Sequence, residues 1–138
     1  MLEAGGCHCG AVRYRIDAEP VFIGVCHCSD CRRHAGALAV AWISIPAAGL
    51  TVTLGKVSPY ASSPGVERQF CGTCGTGLFY YNESFLPGLV DIQLITLDNA
   101  ADIKPQMHLQ MADALPWEKD LLHIPKFERY PEALAHYH

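Results

Sequence analysis

A single, mostly-β domain clipped together by metal is the fold class this chain predicts, and three observations lead there. Short runs of alternating or β-branched apolar residues recur between turn residues. No long helical pattern precedes residue 97. All seven cysteines fall into three tight clusters, Cys7-His8-Cys9-Gly10, Cys26-His27-Cys28-Ser29-Asp30-Cys31 and Cys71-Gly72-Thr73-Cys74-Gly75.

In chain order, residues 11–16 alternate Val12, Tyr14 and Ile16 with polar neighbours, the pattern of a half-buried strand leaving the first cluster. Glu19-Pro20 breaks it, and residues 21–25 form a second β-rich run that feeds the central cluster, so the two runs read as a hairpin. Ser29 is placed to cap about one helical turn over residues 30–35, which Gly36 stops. Residues 38–45 are apolar but for Ser44 and end at Pro46, as a buried strand does. Further strands are expected over 51–54, 66–70, 78–81 and 89–96, separated by Gly, Pro and Ser turns. The tail offers a short strand over 106–111 and a short helix over 117–123.

With 138 residues, 50% hydrophobic and 17% charged, the chain suits one folded domain over residues 1–138. A formal charge of −4 exerts no long-range pull on nucleic acid or an anionic membrane, so neither is an expected partner. No signal-peptide pattern or membrane-length apolar run is visible, and a cytoplasmic setting is the expectation.

Disulfides are the competing explanation for the cysteines. Their odd number, their tight clustering and the missing export signal favour metal, and thiolates at these spacings are zinc ligands. Seven ligands divide into four, which close a tetrahedron, and three, which leave one position for water or a substrate sulfur. Glycine follows the last cysteine in the first and third clusters, where it permits a tight knuckle with amides turned toward sulfur. Cys7, Cys9, Cys71 and Cys74 are therefore assigned to a structural zinc, and Cys26, Cys28 and Cys31 to a reactive one.

Arg32 and Arg33, beside the helix start, would favour thiolate and attract an anionic ligand. The alternative for the central cluster is a second closed site completed by His8, His27, His34 or His108. Trp42 reads as core rather than as a ligand platform, and His108 as a hydrogen-bonded histidine. Tyr80, Tyr81 and Asn82 line a cleft or end a strand, and His136 and His138 belong to an exposed tail.

The three cysteine motifs, with Arg32, Arg33, Gly36, Trp42 and Phe70 around them and Pro105, His108 and Trp117 beyond, resemble the glutathione-dependent formaldehyde-activating enzyme family, which includes centromere protein V. The resemblance implies several small coiled antiparallel sheets, the β-tent, holding two zinc ions. It matches Cys7, Cys9, Cys71 and Cys74 to the structural ion and Cys26, Cys28 and Cys31 to the catalytic one. It also implies a carbon–sulfur lyase that condenses glutathione, as co-substrate, with formaldehyde to S-(hydroxymethyl)glutathione. The competing expectation is a non-catalytic glutathione carrier or a zinc-ribbon module that binds protein.

Overall fold

The fold is a computed structural model that describes residues 1–137; His138 lies outside the described residues. The strands β1 (Leu2–Gly6), β2 (Arg13–Asp17) and β3 (Phe22–Cys26) lead to the helix α1 (Ser29–Ala35). Then come β4 (Val40–Pro46), β5 (Leu50–Leu54), β6 (Ser58–Ser63), β7 (Val66–Phe70) and β8 (Gly77–Asn82). β9 (Leu89–Gln93) and β10 (Met107–Leu109) complete the sheets, and a 3₁₀ turn spans Glu118–His123. The fold is mostly β, as the sequence predicts. Among the described residues no helix is long and apolar enough to cross a membrane.

The strands form a three-stranded sheet, β1-β2-β5, and a seven-stranded one, β10-β3-β4-β9-β8-β7-β6. All pairings are antiparallel except β10 with β3, which is parallel. The expected hairpin between the first two runs is not formed. β2 pairs with β1 and β5, whereas β3 joins β4 and β10 in the other sheet.

Period-two alternation divides the large sheet into two faces of different character. On one face Ile43, Ile45, Phe79, Val90 and Ile92 pack against Val12, Tyr14 and Ile16 from the small sheet. Tyr14 meets Phe79 edge-on, with ring centroids 5.2 Å apart. On the other face Val40 and Trp42 pack with Cys26 and Cys31. One register row on this face runs Ser44, Asp91, Tyr80, Arg68 across β4, β9, β8 and β7.

Two strands were not foreseen, and each owes its conformation to a partner more than to its own pattern. β1 holds two glycines and pairs along its whole length with β2. β6 is polar, carries Pro59 and forms the exposed edge of the large sheet, where a missing amide is tolerated. The helix begins one residue earlier than expected, because Cys28 rather than Ser29 is its N-cap: the Cys28 sulfur accepts from the Cys31 amide at 3.3 Å. Gly36 ends the helix in the left-handed conformation, φ 64°.

Gly5 shows how closely the sheets approach each other. A Cβ there would lie 2.5 Å from the Thr96 carbonyl oxygen and closer still to the Tyr14 hydroxyl, which is itself bonded to the Thr96 hydroxyl at 2.7 Å. Gly5→Ala is therefore expected to destabilise the protein by about 1–3 kcal/mol, as overpacking does. A urea denaturation midpoint unchanged from wild type would contradict this.

Candidate metal centres and the cavity beside them

The four thiols of the first and third clusters meet although they lie far apart in the chain. Their sulfur atoms are all within 4.8 Å of one another, with Cys7 to Cys9 at 3.6 Å and Cys9 to Cys71 at 3.8 Å. A tetrahedron with zinc–sulfur bonds of about 2.3 Å has sulfur–sulfur edges of about 3.8 Å, so the donor set fits zinc.

Both halves of this centre are built alike. Each sits in a hairpin turn, β1 to β2 and β7 to β8, and the first cysteine of each closes it through main-chain bonds. Cys7 donates to the Val12 carbonyl and accepts from Gly10, while Cys71 donates to Thr76 and accepts from Gly75. Gly10 and Gly75 adopt φ 82° and 84°, and an added Cβ would touch nothing, so it is the backbone angle that selects glycine.

Amides also reach sulfur directly, Val12 to Cys7 at 3.2 Å and Cys74 to Cys71 at 3.5 Å. Burial pushes the Cys7 thiol up, but the Val12 amide and the Cys71 and Cys9 thiols bring it below its usual range. The Thr76 hydroxyl and amide bring Cys74 down to about 5. Cys9 is pulled down by the Ala11 amide, yet desolvation and its neighbouring thiols raise it to about 11.

The central thiols, Cys26, Cys28 and Cys31, also gather within 4.8 Å, and among the described residues no histidine or carboxylate joins them. His8 is exposed and His34 stacks on Tyr60. His27 is fully buried, with Nε2 2.9 Å from His108 Nδ1 and Nδ1 2.8 Å from Glu118 Oε2. It thus ties the tail to the central cluster, a role that its place between two cysteines does not disclose.

The cation at this centre is Arg68, which is 4% exposed. Both of its terminal nitrogens lie 3.7 Å from Cys31 Sγ, and its guanidinium stands 4.8 Å above the Tyr80 ring. Arg32 instead donates to the His27 carbonyl, and Arg33 is exposed; neither lines the cavity. Helical spacing explains this, since Cys28 and Cys31 share a face three residues apart and Arg33 projects from another. Hydrogen bonding with Cys26, then with Cys28, and the charge of Arg68 bring Cys31 down to about 5 against the effect of burial. The same bond with Cys31, followed by burial, drives Cys26 upward, and burial raises Cys28.

The three thiols open on a cavity of about 760 Å³. Trp42, Tyr80, Asn82 and Asp91 also line it, and Phe85, Leu86, Met107 and Leu109 give it apolar walls. Trp42 is both core and cavity wall, 4% exposed and 5.9 Å from the Tyr80 ring. Tyr81 packs instead against the main core. Asp91, also unforeseen, is 6% exposed, and burial raises its carboxyl to about 6, helped by negative charge at Cys31 and opposed by Ser44. A lone aspartate in an apolar strand gives no sign that pairing will set it in line with Tyr80 and Arg68.

A mostly-β domain with one closed four-thiol centre, and one three-thiol centre open to a cavity, defines a class of cysteine-built metal-site proteins. The sequence model of the glutathione-dependent formaldehyde-activating enzyme family matches residues 2–113. A Halomonas elongata protein named as a glutathione-dependent formaldehyde-activating enzyme is 32% identical over 155 aligned residues, covering 100% of this chain and 95% of that one. An uncharacterised lyase of Schizosaccharomyces pombe is 33% identical over 78 residues, 55% of each chain. A crystal structure of a Rhodobacter sphaeroides protein shares the fold, with a TM-score of 0.63 and 24% identity, over 76% of this chain and 98% of that one. The chain belongs to the glutathione-dependent formaldehyde-activating enzyme family.

Two outcomes follow from the geometry. Binding energy at a closed zinc site, about 10–16 kcal/mol in small domains, rivals a whole domain's stability, so Cys71→Ser is expected to unfold the protein. Cys28→Ser leaves the four-thiol centre whole and is expected to cost far less, and circular dichroism melts of the two variants give the order directly.

The second outcome concerns Asp91. Its carboxyl rises from an ordinary 3.8 to about 6 in the fold, so between those values the native state holds a proton that the unfolded chain has lost. Stability from this group is present below pH 4 and is lost as pH rises through 6, by an amount on the order of 1–3 kcal/mol. Asp91→Asn is therefore expected to melt higher than wild type at pH 7, with the gap closing near pH 4. Equal melting temperatures at pH 7 would contradict the assignment.

Proposed function

We propose that this chain is a zinc-dependent carbon–sulfur lyase that adds glutathione to formaldehyde, giving S-(hydroxymethyl)glutathione, and that catalyses the reverse cleavage. The observation that carries this reading is the convergence of Cys26, Cys28 and Cys31, with no fourth protein ligand among the described residues, at the wall of a cavity of about 760 Å³. Family membership supports it, as do a relative named for glutathione-dependent formaldehyde activation and another named as a lyase.

In this reading Cys7, Cys9, Cys71 and Cys74 hold a structural zinc, and Cys26, Cys28 and Cys31 hold the catalytic one. When bound there, zinc supplies the Lewis acidity that keeps a substrate thiol ionised near neutral pH. The protein's own groups do the rest. Arg68 offsets the negative charge of the thiolates, Trp42 and Tyr80 floor the cavity, and Phe85, Leu86, Met107 and Leu109 limit water around the reacting carbon. Seven unpaired cysteines suit the reducing cytoplasm, the compartment we propose for the reaction.

Exchange NMR tests the reading by following glutathione and formaldehyde toward their adduct, with the spontaneous rate measured in parallel. Wild type is expected to speed the approach without moving the equilibrium, and to carry two zinc ions per chain. Cys28→Ser is expected to carry one and to show no acceleration. Acceleration by neither protein, with glutathione still bound to wild type, would leave a carrier of glutathione.

A further inference from the structure

Asp91 is a buried ionisable group on the functional face with no part in the proposed function. Its neighbours in the register row are Ser44 and Tyr80, with Arg68 next beyond. Arg68 is fully engaged, with Cys31, with the Ser62 hydroxyl at 3.3 Å and with the Tyr80 ring. Asp91 is not engaged in that way. Ser44 beside it lowers its acidity range, but it is 6% exposed, lines the cavity, and its Oδ1 has no hydrogen-bond partner among the described residues.

A buried, unpartnered carboxyl oxygen costs the fold its desolvation, and an apolar side chain of similar size would avoid that cost. The oxygen also lies outside the metal-ligand set, because among the described residues no carboxylate shares the 4.8 Å cluster of the three thiols. Asp30 and Asp113 border the same cavity but are exposed, and a guanidinium such as that of Arg68 does not release its proton. Asp91 is thus the buried carboxyl facing the space where a thiol and a carbonyl would meet.

We propose that Asp91 is the proton carrier of the thiol–aldehyde addition, taking the proton of the incoming thiol and returning it to the aldehyde oxygen. This rests on the thiol–aldehyde reading of the site given above. The S–H bond breaks as its proton passes to Asp91. The sulfur electron pair forms the C–S bond, the π pair of the carbonyl moves to oxygen, and that oxygen takes the proton from the Asp91 carboxyl. The sum is thiol plus aldehyde giving the hydroxymethyl thioether, with the carboxylate restored and no oxidant or reductant consumed. Cleavage runs through the same positions in reverse.

The environment suits both halves of the cycle. Burial, foremost, holds the carboxyl at about 6, so that both protonation states are accessible near neutral pH, where a general acid–base group works best. The titratable and charged groups that share the cavity are Arg68, Tyr80, Asp30, Asp113 and the three thiols.

The test uses the zinc-loaded full chain and its Asp91→Asn variant, with glutathione and formaldehyde. The variant is expected to keep its zinc and its glutathione affinity and to lose about 100-fold or more of the acceleration. A second readout needs no turnover. Calorimetry of glutathione binding at pH 7, in buffers of different ionisation enthalpy, counts the protons released. Wild type is expected to release fewer than the variant, because Asp91 keeps the thiol's proton. Asp91→Ala is a second variant, in which added formate restores part of the rate, as a purely structural role for Asp91 would not allow. Equal acceleration by wild type and Asp91→Asn, or equal proton release, overturns the assignment while leaving the thiol–aldehyde reading intact. Wild type that neither binds glutathione nor speeds the reaction overturns both.

Discussion

Gathering thiolate sulfur into small volumes is the constraint on which the rest of this structure depends. Two like charges 4 Å apart repel by about 4 kcal/mol at the effective dielectric of a protein surface, and each cluster here holds several such contacts. The fold answers in two ways. At the four-thiol centre it turns main-chain amides and the Thr76 hydroxyl onto sulfur, using two hairpin turns whose glycines occupy positive φ. At the three-thiol centre the Cys28 amide serves Cys26 and the Cys31 amide serves Cys28, and the buried guanidinium of Arg68 provides the positive charge. The first arrangement is complete within the chain and suits a structural role. The second gathers three thiols and opens on the cavity.

The two centres also organise the sheets. The closed centre joins the β1–β2 turn of the small sheet to the β7–β8 turn of the large one, across the apolar core that both sheets share. The open centre lies on the opposite face of the large sheet, between β3 and the helix it feeds. The core is therefore undisturbed by the chemistry, and the functional face is free to carry groups that a core would reject. Alternation along the strands makes the separation possible: Ile43 and Ile45 point one way, Trp42 and Ser44 the other.

What was legible in the sequence followed from local spacing. Cysteines two and three residues apart declare metal ligands wherever they fold, and glycine after the last cysteine marks a knuckle because one residue type meets one backbone requirement. Strand β7 was located in full and β4 nearly so, because each has its own pattern, whereas the run over 89–96 is a strand only to Gln93 and turns as a 3₁₀ helix over Leu94–Thr96. β1 and β6 were not, since two glycines in one and a polar edge in the other hide the signal that pairing later supplies. The parallel docking of β10 on β3 has no local signature either, and nor does the link from His27 to His108 and Glu118. Arg68 and Asp91 lie 23 residues apart and become neighbours of one ring, Tyr80, through strand register alone. The arginines beside the cysteines looked better placed because sequence proximity was the one distance available.

Asp91 and Arg68 show why a site of this kind is built on a sheet rather than on the loops that carry its ligands. The knuckles fix sulfur positions through short, local bonds, but they have no room for a second layer of charge. A register row does: residues directly opposite on neighbouring strands stand about 5 Å apart and are held by the ladder on both sides. Placed there, a guanidinium and a carboxyl remain apart with the Tyr80 ring between them, so neither neutralises the other. Had Asp91 stood beside Arg68, the ion pair would have depressed its acidity range and removed its capacity to hold a proton near neutral pH. The intervening tyrosine preserves two opposite properties in one cavity, a fixed positive charge toward sulfur and a carboxyl able to hold a proton near neutral pH.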